Sequence, residues 1–360
     1  GAGGRPRRDG PGRVTTDTLA LVESPAQFLH VLEWCHAENA AENTRIAVLA
    51  PTDAVTVAQL RAMADYADEE GIGLDWHTPR ESPRAALRTL PDVRRAVTRA
   101  RRLVLGDPFS GMIQSLLPFA RAGEVVVVDD GTATLEFAAQ LVHGEPLRRW
   151  HLRQSLVRAP LAHYARRYLG RSRLRLFTVM GVTALPGSRV DRHTYDWTRR
   201  RFGPPLVLRG TDVVGSSLVE TGVVQVEAYL DAVAALAVHA GAAGRYFAHR
   251  REHPDKLRRL AQRTGLRIVR PRVPLEIELR RGPVAQELAS FPSSVGYTLP
   301  LVLAGTGCRI AVQPLPEAML NPGVSERARG FLARVGDEMR GAAGLRDGRS
   351  FLAASSGSVL

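Results

Sequence analysis

The chain has 360 residues, 44% of them hydrophobic and 24% charged, a composition typical of a soluble globular protein of about two domains. A net charge of +13 predicts attraction to anions, yet Lys256 is the only lysine, and the arginines are scattered without zinc-finger spacing or an RNP-like aromatic motif. Specific nucleic-acid binding is therefore not expected, no apolar run approaches a membrane span, and two distant cysteines, Cys35 and Cys308, fit a reducing compartment.

Residues 1–16 are basic and Gly/Pro-rich with no apolar core, which reads as a disordered arm rather than an export signal. From residue 19 short apolar runs alternate with helical patterns. Strands are predicted at 19–22, 46–50, 72–76, 103–105 and 125–128, with helices between them and a further helix at 134–143. Fully apolar strands alternating with helices imply a parallel sheet covered on both faces. Residues 147–201 are arginine-rich and hard to assign, apart from a strand at 174–180; residues 181–201 read as a linker.

The alternation restarts after Pro204-Pro205. Strands are expected at 206–208, 245–248, 266–269 and 310–312. Helices are expected at 226–240, 254–263, 284–288 and 297–304. The fold class is thus α/β, with two Rossmann-like βα-alternating domains facing a central cleft, the GT-B type. The expected division is a first domain at 17–190, a second at 191–340 and a flexible tail at 341–360.

Three stretches carry candidate chemistry. In "VVVVDDG" an apolar strand ends in Asp129, Asp130 and Gly131, which places two carboxylates at the ligand-binding edge of a parallel sheet. One could act as a general base; equally, Asp130 or Thr132 could cap the next helix. In "RYFAHRREHPDKL" two histidines lie four apart. A metal pair there lacks further ligands and the H-E-x-x-H order. His253, before Pro254, suits a helix start, while His249 ends the strand and is placed to donate to a phosphate. In "FPSSVGYTL", Ser293 and Ser294 precede a helical run, where hydroxyls and free N–H groups either bind anions or cap. Between the last two stretches Glu276 falls amid apolar residues that read as a loop or strand, where its carboxylate could accept ribose hydroxyls. Asp107, in "LGDPFSG", either lines the cleft or makes the turn before Pro108.

In this order the motifs resemble those of the bacterial sialyltransferases of the two-domain, metal-independent type, including the polysialyltransferase-like group. So do "LVESPAQFLHVLEW" and "LRGTDVVGSSLVETGVVQVEAYLDAV", and the resemblance spans most of 19–315. It implies that Asp130 is the general base, with Asp129 and Gly131 supporting it. It also implies that a histidine and Ser293 and Ser294 hold the phosphate of a CMP-activated acidic sugar, and that Glu276 holds the ribose. His249 precedes Glu276 by 27 residues and Ser293 by 44, the spacing the resemblance implies, whereas His253 fits neither. Arg250 then replaces the family's proline and adds a phosphate contact. The implied activity is inverting transfer to a glycan or glycoconjugate hydroxyl in the cytoplasm, with no metal or other cofactor and with peripheral contact to an anionic membrane face. Use of another nucleotide sugar, or a non-catalytic sugar-nucleotide-binding role, are the alternatives.

Overall fold

The computed structural model describes residues 17–149, 158–241 and 243–344. The predicted arm and most of the predicted tail lie outside them. The first half runs β1 (Thr18–Val22), α1 (Pro25–Ala37), β2 (Thr44–Leu49), α2 (Ala54–Glu69), β3 (Gly73–His77), α3 (Pro83–Arg99), β4 (Arg102–Leu105), α4 (Gly111–Leu116), β5 (Glu124–Val128), α5 (Ala133–Val142), α6 (Ala159–Arg171), β6 (Arg173–Thr178) and β7 (Arg189–Arg192). The second runs α7 (Asp196–Phe202), β8 (Val207–Val214), α8 (Val226–Ala240), β9 (Arg245–Phe247), α9 (Pro254–Thr264), β10 (Arg267–Val269), α10 (Leu275–Arg281), β11 (Val284–Ser290), α11 (Val295–Val302), β12 (Arg309–Val312) and α12 (Glu326–Gly344).

The strands form two parallel sheets, in the orders β3-β2-β1-β4-β5-β6-β7 and β10-β9-β8-β11-β12. Each reverses direction beside its first strand, between β1 and β4 and between β8 and β11. A crevice opens at the carboxyl ends of the strands at such a point. The architecture is the expected one, two Rossmann-like domains. The apolar runs are explained by two-sided burial. Ala20 and Val22 face a core with Phe28 and Trp34, while Leu19 and Leu21 face another with Phe109 and Phe137.

Helix starts follow local chemistry. Ser24 caps α1 by accepting from the Gln27 N–H at 3.3 Å, with Pro25 in the first turn. Asp53 caps α2 through the Thr56 N–H at 2.8 Å.

Four expectations change. The linker at 181–201 contains β7 and α7, and α7 packs on α1 of the first half and α10 of the second. Residues 284–288, expected as a helix, belong to β11, a central strand between β8 and β12. A short apolar run fits either state, and pairing on both sides decides for strand. Glu276 lies in the first turn of α10, not in a loop or strand. The tail expected from 341 is still helical to Gly344; α12 buries Leu332, Val335 and Met339 at helical spacing. Among the described residues no helix is long and apolar enough to cross a membrane.

Candidate active site

Asp129 and Asp130 leave β5 in opposite directions. Asp129 points inward and is 1% exposed. Its Oδ1 accepts from the hydroxyls of Thr134 (2.8 Å) and Thr178 (2.5 Å), and its Oδ2 from the Val179 N–H at 2.8 Å. Burial pushes its pKa up while these donors pull it down, with burial prevailing. The Asp129 carbonyl accepts from His30 Nδ1 at 2.6 Å, and His30 Nε2 then accepts from the Tyr195 hydroxyl at 2.9 Å. Asp129 thus anchors the loop. Gly131 follows with φ +60°, a left-handed turn that costs glycine little, and Asp130 is left facing the cleft.

Arg149 spans Asp130 and Asp107. Its Nη2 donates to Asp107 Oδ2 at 2.9 Å and to Asp130 Oδ2. Asp107 Oδ1 also accepts the Phe109 N–H at 2.9 Å, so this buried residue makes the turn while its other oxygen holds Arg149. Burial pushes Asp107 up to about 6, against the pull of Arg149 and with help from Asp130. Burial works to raise Asp130 too, but the charge and hydrogen bond of Arg149, aided by Gln27 and Arg250, hold it below its usual range. The arrangement is two carboxylates on one guanidinium, the nearer one ionised and the other titrating close to neutrality. Thr132 begins α5 without any side-chain cap bond, and Asp130 is engaged with Arg149, so neither carries out the capping alternative.

In the second half, β9 ends at Phe247 and His249 follows two residues beyond it. The His249 Nδ1 accepts from the Arg251 N–H at 3.2 Å, which leaves the proton on Nε2 as a donor. Burial and then the charges of Arg250, Arg251 and Lys256 push its pKa down to about 3, so the ring is neutral at working pH. A buried network fixes this loop. Glu252 accepts from the His249 N–H (2.7 Å) and the Tyr246 hydroxyl (2.8 Å), and pairs with Lys256 at 3.1 Å. Lys256 also reaches Glu220 (3.0 Å) and the Ser216 carbonyl (3.2 Å). Gly215 is required beside it, because a Cβ there would stand 2.2 Å from Glu252 Oε1.

The His253 side chain stands outside this network, although its N–H donates to Glu220 at 3.1 Å. The residue begins α9, its Nδ1 accepts from the Asp255 N–H at 3.2 Å, and its side chain is 68% exposed. The two histidines therefore do not converge, and among the described residues no three His, Cys, Asp or Glu side chains are gathered as a metal site would need.

The two halves meet at these loops. A Cβ on Gly131 would lie 3.5 Å from the Cβ and Oγ of Ser294, the residue that begins α11. Ser294 makes no side-chain cap bond, so its hydroxyl remains available, and Ser293 precedes it. Arg250 lies within electrostatic reach of Asp130 and Asp53 in the opposite half. Glu276 accepts from the Thr298 hydroxyl at 2.8 Å, one turn beyond Ser294 on the same helix. Thr298 also lies beside Tyr195, whose hydroxyl meets His30.

Of the residues singled out from sequence, Asp107, Asp130, Gly131, Arg250 and Ser294 come together where the halves meet, with His249 and Ser293 on the adjoining loops and Glu276 in the first turn of α10. Asp129 turns inward and His253 outward. Arg149, Gln27, His30, Tyr195, Glu252 and Lys256 were not foreseen. The chain's single lysine, four residues after Glu252, was the one signal for the buried network; nothing in the order of residues ties Arg149 to two acids.

No protein-family model matches this chain, and no curated protein matches it in sequence. Among solved structures, the chain is similar to an α/β-galactoside α-2,3-sialyltransferase from the luminous marine bacterium Photobacterium phosphoreum, at 9% identity and TM-score 0.45, covering 91% of this chain and 96% of that one. It is also similar to Anabaena HepE in complex with UDP and glucose (11% identity, TM-score 0.48, covering 94% and 96%). A third neighbour is Acinetobacter baumannii MurG (12%, 0.43, covering 94% and 92%). At these identities the comparison concerns the course of the chain, not the residues of the site.

Proposed function

We propose that this protein is an inverting glycosyltransferase that moves sialic acid or a related acidic sugar from its CMP ester to a glycan hydroxyl. The observation that carries the proposal is the contact between the Asp130-Gly131 turn of one half and Ser294 at the start of α11 in the other. It brings the turn that carries Asp130, a carboxylate that Arg149 holds below its usual range, against the serine that begins α11, with Arg250 in electrostatic reach of that carboxylate.

In the reaction, Asp130 accepts the proton of the acceptor hydroxyl as that oxygen bonds to the anomeric carbon. The bond from that carbon to the CMP phosphate breaks on the opposite side, and its electron pair leaves with the phosphate. Such a base contributes roughly 10²–10⁴ in rate. His249 Nε2–H, Arg250, the Ser293 and Ser294 hydroxyls and the free N–H groups beginning α11 receive the charge that gathers on the leaving phosphate. Glu276 accepts the ribose hydroxyls. No step uses a metal. The net charge of +13 favours an anionic donor and work close to an anionic inner membrane face in the cytoplasm.

The test is a panel of CMP-, UDP- and ADP-linked sugars assayed for transfer and hydrolysis with wild type and Asp130→Asn. Turnover of the CMP-linked acidic sugar alone, reduced roughly 10²–10⁴-fold in the variant with CMP binding intact, supports the reading. Turnover of a UDP sugar instead would place the donor in another class, and full biological activity of the variant would mean that the protein binds sugar nucleotides without transferring them.

A further inference from the structure

We propose that the outer face of α3, the helical turn Leu117–Phe119 and α6 is where this protein docks on an anionic bilayer. The proposal rests on the membrane contact in the reading above and not on its choice of donor. Arginines that are scattered along the sequence gather here. The 17 residues of α3 and the 13 of α6 hold eight arginines and one acid, Asp92, so they carry more than half of the net charge of +13. Asp92 is already paired with Arg95 at 2.9 Å. Arg84, Arg88, Arg94 and Arg99 of α3 stand exposed and make no ion pair with any described residue. The same holds for Arg167 and Arg171 on the exposed face of α6.

The fold brings the two helices onto one side. Val93 and Val97 of α3 and Ala165 and Leu169 of α6 pack into the same core, with Phe109 and Phe137, against one face of the seven-stranded sheet. The opposite faces of both helices therefore look away from that sheet. The turn Leu117–Phe119 touches both helices. Its Phe119 ring is 42% exposed, and the Arg94 guanidinium lies 4.9 Å from the ring centroid. Leu87, two turns before Arg94 on the same side of α3, is 75% exposed, and Tyr164 of α6 is 40% exposed. Apolar side chains standing among unpaired cations suit a surface that offers both acyl chains and phosphates. A nucleic-acid backbone would engage the arginines but leave Leu87 in water. A second copy of this face would set arginine against arginine. Each arginine near an anionic surface raises partitioning roughly fivefold, so a few of them give reversible docking.

The experiment sediments the full chain with vesicles of phosphatidylcholine alone or with about 30% phosphatidylglycerol, at about 0.15 M salt. Wild type is expected in the pellet with the anionic vesicles only, and in the supernatant again at about 1 M salt. The triple variant Arg84→Gln, Arg88→Gln, Arg94→Gln should lose roughly tenfold or more in partitioning, with its melting temperature unchanged. A second triple, Arg209→Gln, Arg267→Gln, Arg281→Gln, removes the same charge from exposed positions of the second half and should lose less than about threefold. Leu87→Ser, which alters no charge, should lose about threefold or more. Equal losses from the two triples would show that net charge alone attracts the protein, and would overturn the proposal. It is overturned equally by wild type that ignores anionic vesicles, or by Leu87→Ser that binds as wild type does. Tighter binding of a DNA duplex than of the vesicles at the same salt would make this a nucleic-acid surface instead. No sugar nucleotide enters the measurement, so the donor assignment stands or falls separately.

Discussion

Removing Glu252 should loosen the loop that holds His249. In the folded chain this carboxylate is buried and accepts from three donors: the His249 N–H, the Tyr246 hydroxyl and the Lys256 ammonium. Glu252→Ala leaves the His249 N–H without its acceptor, leaves the Tyr246 hydroxyl only the Tyr229 hydroxyl at 2.8 Å, and takes one partner from a buried cation. Breaking a buried pair by removing one member costs about 3–5 kcal/mol. Lys256 retains Glu220 and the Ser216 carbonyl, which keeps the expected cost near the lower end, about 3 kcal/mol. Glu252→Gln retains an acceptor oxygen and should cost about half as much. Urea unfolding monitored by tryptophan fluorescence and by circular dichroism reads the shift in midpoint. CMP titration of the folded variants should show weaker binding, because the His249 backbone is no longer tethered. A loss of less than about 1 kcal/mol in Glu252→Ala would show that water replaces the carboxylate freely and that the network is not what holds the loop.

Other outcomes follow from the same geometry. His249→Asn should weaken CMP binding at least tenfold and His253→Asn should leave it within about twofold, measured by calorimetry; the reverse order would return the phosphate to His253. The His249 pKa is depressed in the fold to about 3, so the unfolded chain binds more protons below the ordinary histidine range. Wild type should therefore lose stability as pH falls from about 6.5 towards 3, and the His249→Asn melting temperature should depend less steeply on pH in that window. Asp107 is raised to about 6, so its contribution to stability is present at low pH and lost as pH rises through 6. Asp107→Asn should flatten the pH dependence of the melting temperature between 4 and 6, and an unchanged profile would remove Asp107 from the titrating pair. Gly131→Ala should cost about 1–2 kcal/mol from its left-handed backbone, lowering the melting temperature, and the added methyl only touches Ser294 at van der Waals distance.

Much of the layout was legible along the chain because parallel strands are buried on both faces. Runs such as Val125–Val128 cannot sit at a surface, and the acids that follow them must emerge at the carboxyl edge. The strand leading towards His249, the capping role of His253 before Pro254 and the serines opening α11 were readable for the same reason: each is set by its immediate neighbours in sequence. Pairing decided the rest. Residues 284–288 are a strand only because β8 and β12 flank them, and the apparent linker is ordered as β7 and α7 because it packs on elements of both halves. Asp129 and Asp130 are identical in type and adjacent in sequence. One became an anchor and the other a cleft residue through Thr134, Thr178 and Val179 on one side and Arg149 on the other, partners up to 50 positions away. Local sequence chose the residue types and the edges of the sheets. Long-range contacts, which burial and charge make strong but sequence order does not record, decided which carboxylate faces the cleft.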